Sequence, residues 1–218
     1  LTAGSLAVVI SQRKWSLLLL PLVIWGGAFA LQSVEWTKPT GEPIKAALIQ
    51  GNVPQEIKWD PQQLRNTLQL YADLSRQHWD ADVIVWPENA ATAFYHQIDE
   101  GYLAPLGREA RSQNTDILLG LPVLDENGED YYNSMVSLTD TPVFYHKRHL
   151  VPFGDYVPFE TLRGLIKFFD LPMSAFVPGS ADQPQMLLAG QPVGVSICYE
   201  DAFSLEVRDT VPASTLLI

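Results

Sequence analysis

From residue 44 onward, short apolar runs alternate with amphipathic stretches, and this alternation restricts the chain to an α/β arrangement. IKAALI at 44–49 reads as a first strand. Asp60-Pro61 reads as a helix start, with Asp as N-cap and Pro in the first turn, where its missing N–H costs nothing. The following residues place Leu64, Leu68, Tyr71 and Leu74 on one helical face. DVIVW at 82–86 is a buried strand, 103–113 a second helix and DILLG at 116–120 a third strand. Asp125-Glu-Asn-Gly predicts a tight hairpin turn, because Asn-Gly supplies positive φ angles. Further strands are expected at 133–138, 142–146, 185–189 and 192–198. Strands split by helices and then a run of hairpin strands predict one layered α/β domain over 44–218.

The N-terminal part is of another kind. Residues 15–34, WSLLLLPLVIWGGAFALQSV, carry no charge, and about 20 such residues match the apolar thickness of a bilayer. Membrane helices tolerate Pro21 and Gly26-Gly27, and Trp15 and Trp36 flank the run as interfacial aromatics do. A transmembrane helix is expected over 15–36. Residues 1–14 would be the end of a preceding membrane segment and a cytoplasmic loop, and 37–43 a Pro- and Gly-containing linker. Arg13 and Lys14 put the start of the helix on the cytoplasmic side, so the α/β domain would face outward. The length of the run, its internal proline and the lack of a clear cleavage site argue against a signal peptide. Leu1 is not a methionine and the chain stops within the apolar Thr215-Leu-Leu-Ile, so a longer parent protein is expected.

Composition excludes several functions. The net charge of −11 disfavours nucleic acid as a partner, because phosphate binding draws on Lys and Arg. A single cysteine leaves no internal disulfide. His146 and His149 lack Cys or carboxylate neighbours at metal-site spacing, so no metal or other cofactor is expected.

The chemistry-bearing residues share one context: an apolar strand running into a reactive side chain. VIVWPE delivers Glu88, VFYHK delivers Lys147, and VGVSICYE delivers Cys198. Strand ends are where open α/β sheets place their ligands. A lone cysteine is more often a small buried hydrophobe, a glutamate after a strand an ordinary carboxylate, and His-Lys-Arg-His a solvated basic cluster. Together, however, the three form a coherent set. A thiol attacks a carbonyl, a carboxylate manages its proton, and an ammonium steadies the charge on the carbonyl oxygen.

WPENA (86–90), KRHLVPFGDYVPF (147–159) and SICYED (196–201) resemble the three catalytic segments of the nitrilase superfamily, and within it the apolipoprotein N-acyltransferase family. IQGNVPQEIKW (49–59) and YNSM (132–135) fit the same family. The resemblance implies an α-β-β-α sandwich, incomplete at its C-terminus and preceded by a transmembrane helix. It implies Cys198 as nucleophile, Glu88 as general base and Lys147 as oxyanion stabiliser, with Asp155 as a second acidic residue and Tyr199 and Glu200 orienting the loop. It implies a phospholipid acyl donor, an apolipoprotein acceptor with an N-terminal diacylglyceryl-cysteine, a thioester intermediate and a place in the bacterial inner membrane facing the periplasm. The alternative activity is a carbon-nitrogen hydrolase acting on a small amide or nitrile, and a third reading is a membrane-tethered binding module without activity. Two positions depart from the family's usual pattern: Asp155 stands where Glu is more frequent, and Asn89 where Ser or Thr is common. The aromatic-rich stretch 162–176 is expected either to lie in the lipid interface and gate acyl chains or to be a core helix followed by a loop.

Overall fold

The computed structural model describes residues 1–36, 38, 41–158 and 175–218. The chain divides into two compact units, Leu1–Pro43 and Ile44–Ile218.

In the first unit, helix α1 (Thr2–Gln12) ends at Arg13 in the left-handed conformation. A 3₁₀ turn (Trp15–Leu18) leads into α2 (Leu19–Leu31). The uncharged run is therefore not one continuous α-helix. Pro21 has no N–H to give an earlier turn, so it sits in the first turn of α2. At a rise of about 1.5 Å per residue, α2 is about 20 Å long. Among the described residues, no helix is long and apolar enough to cross a membrane. Yet α2 exposes Leu19, Leu20, Leu22, Ile24, Trp25 and Leu31, an apolar surface all round rather than on one stripe.

The second unit opens with β1 (Ala46–Leu48), α3 (Gln55–Lys58) and α4 (Leu64–Arg76). β2 (Val83–Val85), α5 (Tyr95–Ile98), α6 (Ala104–Ser112), β3 (Asp116–Leu124), β4 (Tyr131–Ser137) and β5 (Phe144–His146) follow. The chain then reaches β6 (Met186–Leu188), β7 (Gln191–Gly194), α7 (Ser204–Thr210) and β8 (Leu216–Leu217). Strands β1 to β5 form one sheet in chain order, parallel from β1 to β3 and antiparallel from β3 to β5. β6, β7 and β8 form a second sheet.

Strand periodicity sorts the core into two layers. Ile84, Trp86, Ile117, Leu119, Leu121 and Val136 pack with Leu68, Tyr71, Leu106 and Ala110 of the helices. Val83, Val85, Leu118 and Met135 point the other way, against Met186, Leu188, Val193, Val195 and Ile197. Helices, sheet and facing sheet are thus three packed layers. On the far sheet, Thr210 at the end of α7 comes close to Gly194 of β7.

Two local expectations are corrected. Asp60 caps a turn by accepting from the Gln62 N–H at 2.9 Å, and α4 begins only at Leu64. Its face is as expected, with Leu68 and Tyr71 buried and Leu64 and Leu74 packed against the core. The β3–β4 hairpin forms at Asp125–Gly128 as expected, with the Gly128 N–H donating to the Asp125 carbonyl at 3.1 Å, but its loop is wider and its backbone angles differ from those Asn-Gly predicts. Leu124 pairs with Tyr131, and of residues 125–130 only Gly128 has positive φ. Asp125 closes this longer loop by accepting from the N–H groups of Glu129 and Asp130.

Candidate active site

Glu88 lies on the turn that leaves β2. Trp86 anchors that exit: it is fully buried, donates from Nε1 to Ser75 Oγ at 2.8 Å and stacks on Tyr71 at 4.9 Å. Asn89 then turns the chain with φ of 48°. Asn is one of the few residues that enter the left-handed region readily, which gives this departure from the family pattern a backbone role. The turn runs hard against β3. A Cβ on Gly120 would sit 2.6 Å from the Pro87 carbonyl oxygen and 2.7 Å from Glu88 Cα and the Asn89 nitrogen. These are backbone atoms that cannot swing aside. Gly120→Ala is therefore expected to cost about 1–3 kcal/mol of stability, read by denaturant titration. An unchanged midpoint would show that the close approach is absent.

Lys147 follows β5, and its backbone N–H donates to the Asn133 carbonyl on β4 at 2.8 Å. The side chain is 1% exposed. Its ammonium lies 2.8 Å from Asp155 Oδ2 and 3.2 Å from Glu88 Oε1. Burial alone would lower its pKa. The hydrogen bond to Asp155 and the charges of Glu88 and Asp155 outweigh burial and raise it. Asp155, despite its shorter side chain, reaches the ammonium because its loop is pinned: Oδ2 accepts from the Val151 N–H at 2.8 Å. Asn133, 0% exposed on β4, donates from Nδ2 to Glu88 Oε1 at 2.6 Å and to Asp155 Oδ1 at 3.4 Å.

Cys198 is exposed and starts a 3₁₀ turn with φ of 53°. A cysteine in the left-handed region stores about 1–3 kcal/mol of strain. β7 ends at Gly194, and an extended segment through Ile197 carries the chain to this sharp turn. The thiol pKa is raised, first by burial of the sulfur's surroundings and then by the negative charge of Glu88; Lys147 and the Tyr199 N–H pull it down less. The nearby cation thus does not create a standing thiolate. The raised pKa keeps the thiol protonated near pH 7, and Glu88 is the carboxylate beside it. Alkylation of Cys198 by iodoacetamide is expected to keep accelerating through pH 9. A plateau reached near pH 7 would indicate a preformed thiolate.

Glu200 is 2% exposed and is a tether rather than a substrate contact. It accepts from the N–H groups of Ile197, Arg148 and His149 at 2.8, 2.6 and 3.1 Å, and from the Tyr145 hydroxyl at 3.0 and 3.1 Å. It therefore joins the Cys198 turn to the Lys147 loop. Tyr199 has an exposed ring set edge-on to Phe203 at 5.2 Å, so its contribution at the sulfur is its backbone N–H. Glu88, Lys147, Asp155 and Cys198 converge; Glu200 and Tyr199 frame them.

Sequence reading gave no role to two neighbours of this cluster. One is Asn133, whose signal was an Asn inside a strand, a type strands disfavour. The other is Lys58, whose ammonium donates to the Glu88 carbonyl at 3.3 Å and whose pKa is lowered by burial against the pull of Glu88. A cavity of about 680 Å³ lies elsewhere, beside Tyr145, Arg148, Met186, Val193 and Ser214, and none of the four converging residues lines it. Among the described residues, no group of three His, Cys, Asp or Glu could hold a metal ion. Of the aromatic-rich stretch 162–176, residues 162–174 lie outside the described residues, and Phe176 is buried.

Comparisons with known proteins place the chain in a family. The chain is 42% identical over 207 residues to an apolipoprotein N-acyltransferase of Methylococcus capsulatus, covering 94% of this chain and 41% of the relative. It is 40% identical over 224 residues to one of Vibrio cholerae, covering 98% and 44%. It therefore spans less than half the length of these relatives. In fold it is similar to a carbon-nitrogen hydrolase of Helicobacter pylori, with a TM-score of 0.58 at 15% identity, covering 80% of this chain and 58% of that one. It is also similar to a nitrilase-superfamily amidase of Nesterenkonia, with a TM-score of 0.55 at 22% identity, covering 82% and 65%. The family model for carbon-nitrogen hydrolases matches residues 45–215, and the chain belongs to that family.

Proposed function

We propose that this chain is the catalytic part of an apolipoprotein N-acyltransferase, in which Cys198 carries the acyl group as a thioester. The observation that carries the reading is an exposed, strained Cys198 facing Glu88 and a buried Lys147, in a chain about 40% identical to enzymes of that name. Glu88 takes the thiol proton as sulfur attacks the ester carbonyl of a phospholipid. The Lys147 ammonium and the Tyr199 N–H hold the oxyanion. The C–O bond breaks, and Glu88 returns the proton to the departing lysophospholipid oxygen. The α-amine of a diacylglyceryl-cysteine then attacks the thioester; a C–N bond forms, the C–S bond breaks and the thiol is restored.

The first unit supports a membrane setting. α2 is apolar on every side, as helices surrounded by lipid or protein core are. With Arg13 and Lys14 before it, the catalytic unit would face the periplasm.

The test uses the full chain, a phospholipid labelled in its acyl chain, and an acceptor peptide bearing diacylglyceryl-cysteine. Label should appear on Cys198 as a hydroxylamine-labile thioester and then on the peptide amine. Failure to label Cys198, with small amides turned over instead, would favour the hydrolase.

A further inference from the structure

We propose that Asn133 is a positioning residue that decides which oxygen of Glu88 serves as the base, an inference that rests on the role given to Glu88 above. Asn133 donates from Nδ2 to Glu88 Oε1 at 2.6 Å and to Asp155 Oδ1 at 3.4 Å. Both partners only accept when ionised, so the amide must turn its nitrogen, not its oxygen, towards them. The same Glu88 Oε1 also receives the Lys147 ammonium at 3.2 Å. Two donors occupy the two lone pairs of that oxygen. Oε2 receives no nitrogen donor among the described residues and is left for the Cys198 proton. Without Asn133 the carboxylate could rotate, and either oxygen could turn to the ammonium.

The amide does this at a cost to the fold. Asn133 Oδ1 is buried with no hydrogen-bond partner among the described residues. An apolar side chain of the same shape would avoid that penalty, so packing alone does not favour Asn here. Polar groups that local rules disfavour are expected where chemistry requires them. The strand also links the amide to the lysine it works beside, because the Asn133 carbonyl accepts from the Lys147 N–H.

The test compares Asn133→Ala, Asn133→Asp and Asn133→Ser in the full chain, with Glu88→Gln as reference. Thioester formation on Cys198 from labelled phospholipid is followed alongside melting temperature. Asn133→Ala should lower the acylation rate about tenfold to a hundredfold, short of the full worth of a general base, with KM within about twofold of the parent. Asn133→Asp has nearly the same shape but sets a third acceptor where two carboxylates need a donor, so it should be slower still. A merely space-filling role gives the reverse order, Asp mild and Ala severe, with rate and melting temperature falling together. Should Asn133→Asp not fold, Asn133→Ser decides: its single donating hydroxyl should place it between Ala and the parent, and a rate equal to Ala overturns the proposal. Parent-like rates in all three variants, with Glu88→Gln inactive, overturn the positioning role and leave the catalytic reading standing. A Glu88→Gln variant as fast as the parent overturns both.

Discussion

Replacing Lys147 with methionine is expected to slow thioester formation about 10²- to 10³-fold, the typical loss when one oxyanion donor is removed. The ammonium has three protons. One is taken by Asp155 and one by Glu88, which leaves one for a substrate carbonyl oxygen. Methionine reproduces the lysine stem up to Cε and lacks only the ammonium, so little of the effect comes from an empty cavity. Stability should fall as well. The side chains of Lys147 and Asp155 are 1% and 9% exposed, and removing one member of a buried pair typically costs about 3–5 kcal/mol. The sign with pH follows from the direction of the shift. Because the folded pKa of Lys147 is raised above its usual 10.5, its stabilising contribution is fully present below that value. It is lost only as pH rises through the higher folded value. Parent and variant should therefore differ by a constant amount between pH 6 and 9 in thermal or denaturant melts, and converge only in strong alkali. Lys147→Arg should recover stability better than rate, because a planar guanidinium cannot point at two carboxylates and a third partner as a compact ammonium does. A methionine variant that acylates within tenfold of the parent would remove Lys147 from the oxyanion site.

How far the sequence alone reaches can be judged at particular residues. That Glu88 and Lys147 follow strands was legible because each comes after a short apolar run rich in β-branched or aromatic residues, and Cys198 stood out because its run ends in CYED. The face of α4 was legible because Leu64, Leu68, Tyr71 and Leu74 keep a helical period. The sorting of VIVW was not. A strand buried on both faces shows no alternation, and only the fold reveals that Val83 and Val85 meet the second sheet while Ile84 and Trp86 meet the helices. The hairpin at 125–130 was legible from Asp125-Glu-Asn-Gly, but its width was not, because Asp125 also offers its carboxylate to the later N–H groups of Glu129 and Asp130. The direction of the Cys198 shift was also hidden. It depends first on burial and then on a carboxylate 110 positions earlier outweighing a lysine 51 positions earlier, all set by arrangement in space. Asn133 and Lys58 escaped for the same reason, since nothing near them in sequence betrays Glu88 as their shared neighbour.

Glu200→Leu is expected to be the most disruptive change outside the converging residues. The parent carboxylate meets three backbone N–H groups and one hydroxyl. Leucine fills the space but accepts nothing, so those donors lose their partner in a buried setting. Each stranded group costs about 1–3 kcal/mol, and part of that total is recovered if water enters. A loss of more than about 3 kcal/mol by denaturant titration is therefore expected. Glu200→Gln separates positioning from folding. One of its two terminal atoms becomes a donor, which must face either the Ile197 N–H of the Cys198 turn or the Arg148 and His149 N–H groups of the lysine loop. One side of the tether is then repelled while the other survives. The glutamine variant should keep most of its stability yet acylate Cys198 about 10- to 100-fold more slowly, because a displacement of about 1 Å between reacting groups costs that much. Cys198 in this variant should still alkylate with iodoacetamide, since small reagents need no registration with Lys147. If Glu200→Gln acylates at the parent rate, the Cys198 turn is held by its own backbone alone, and the carboxylate serves the fold and not the geometry of transfer.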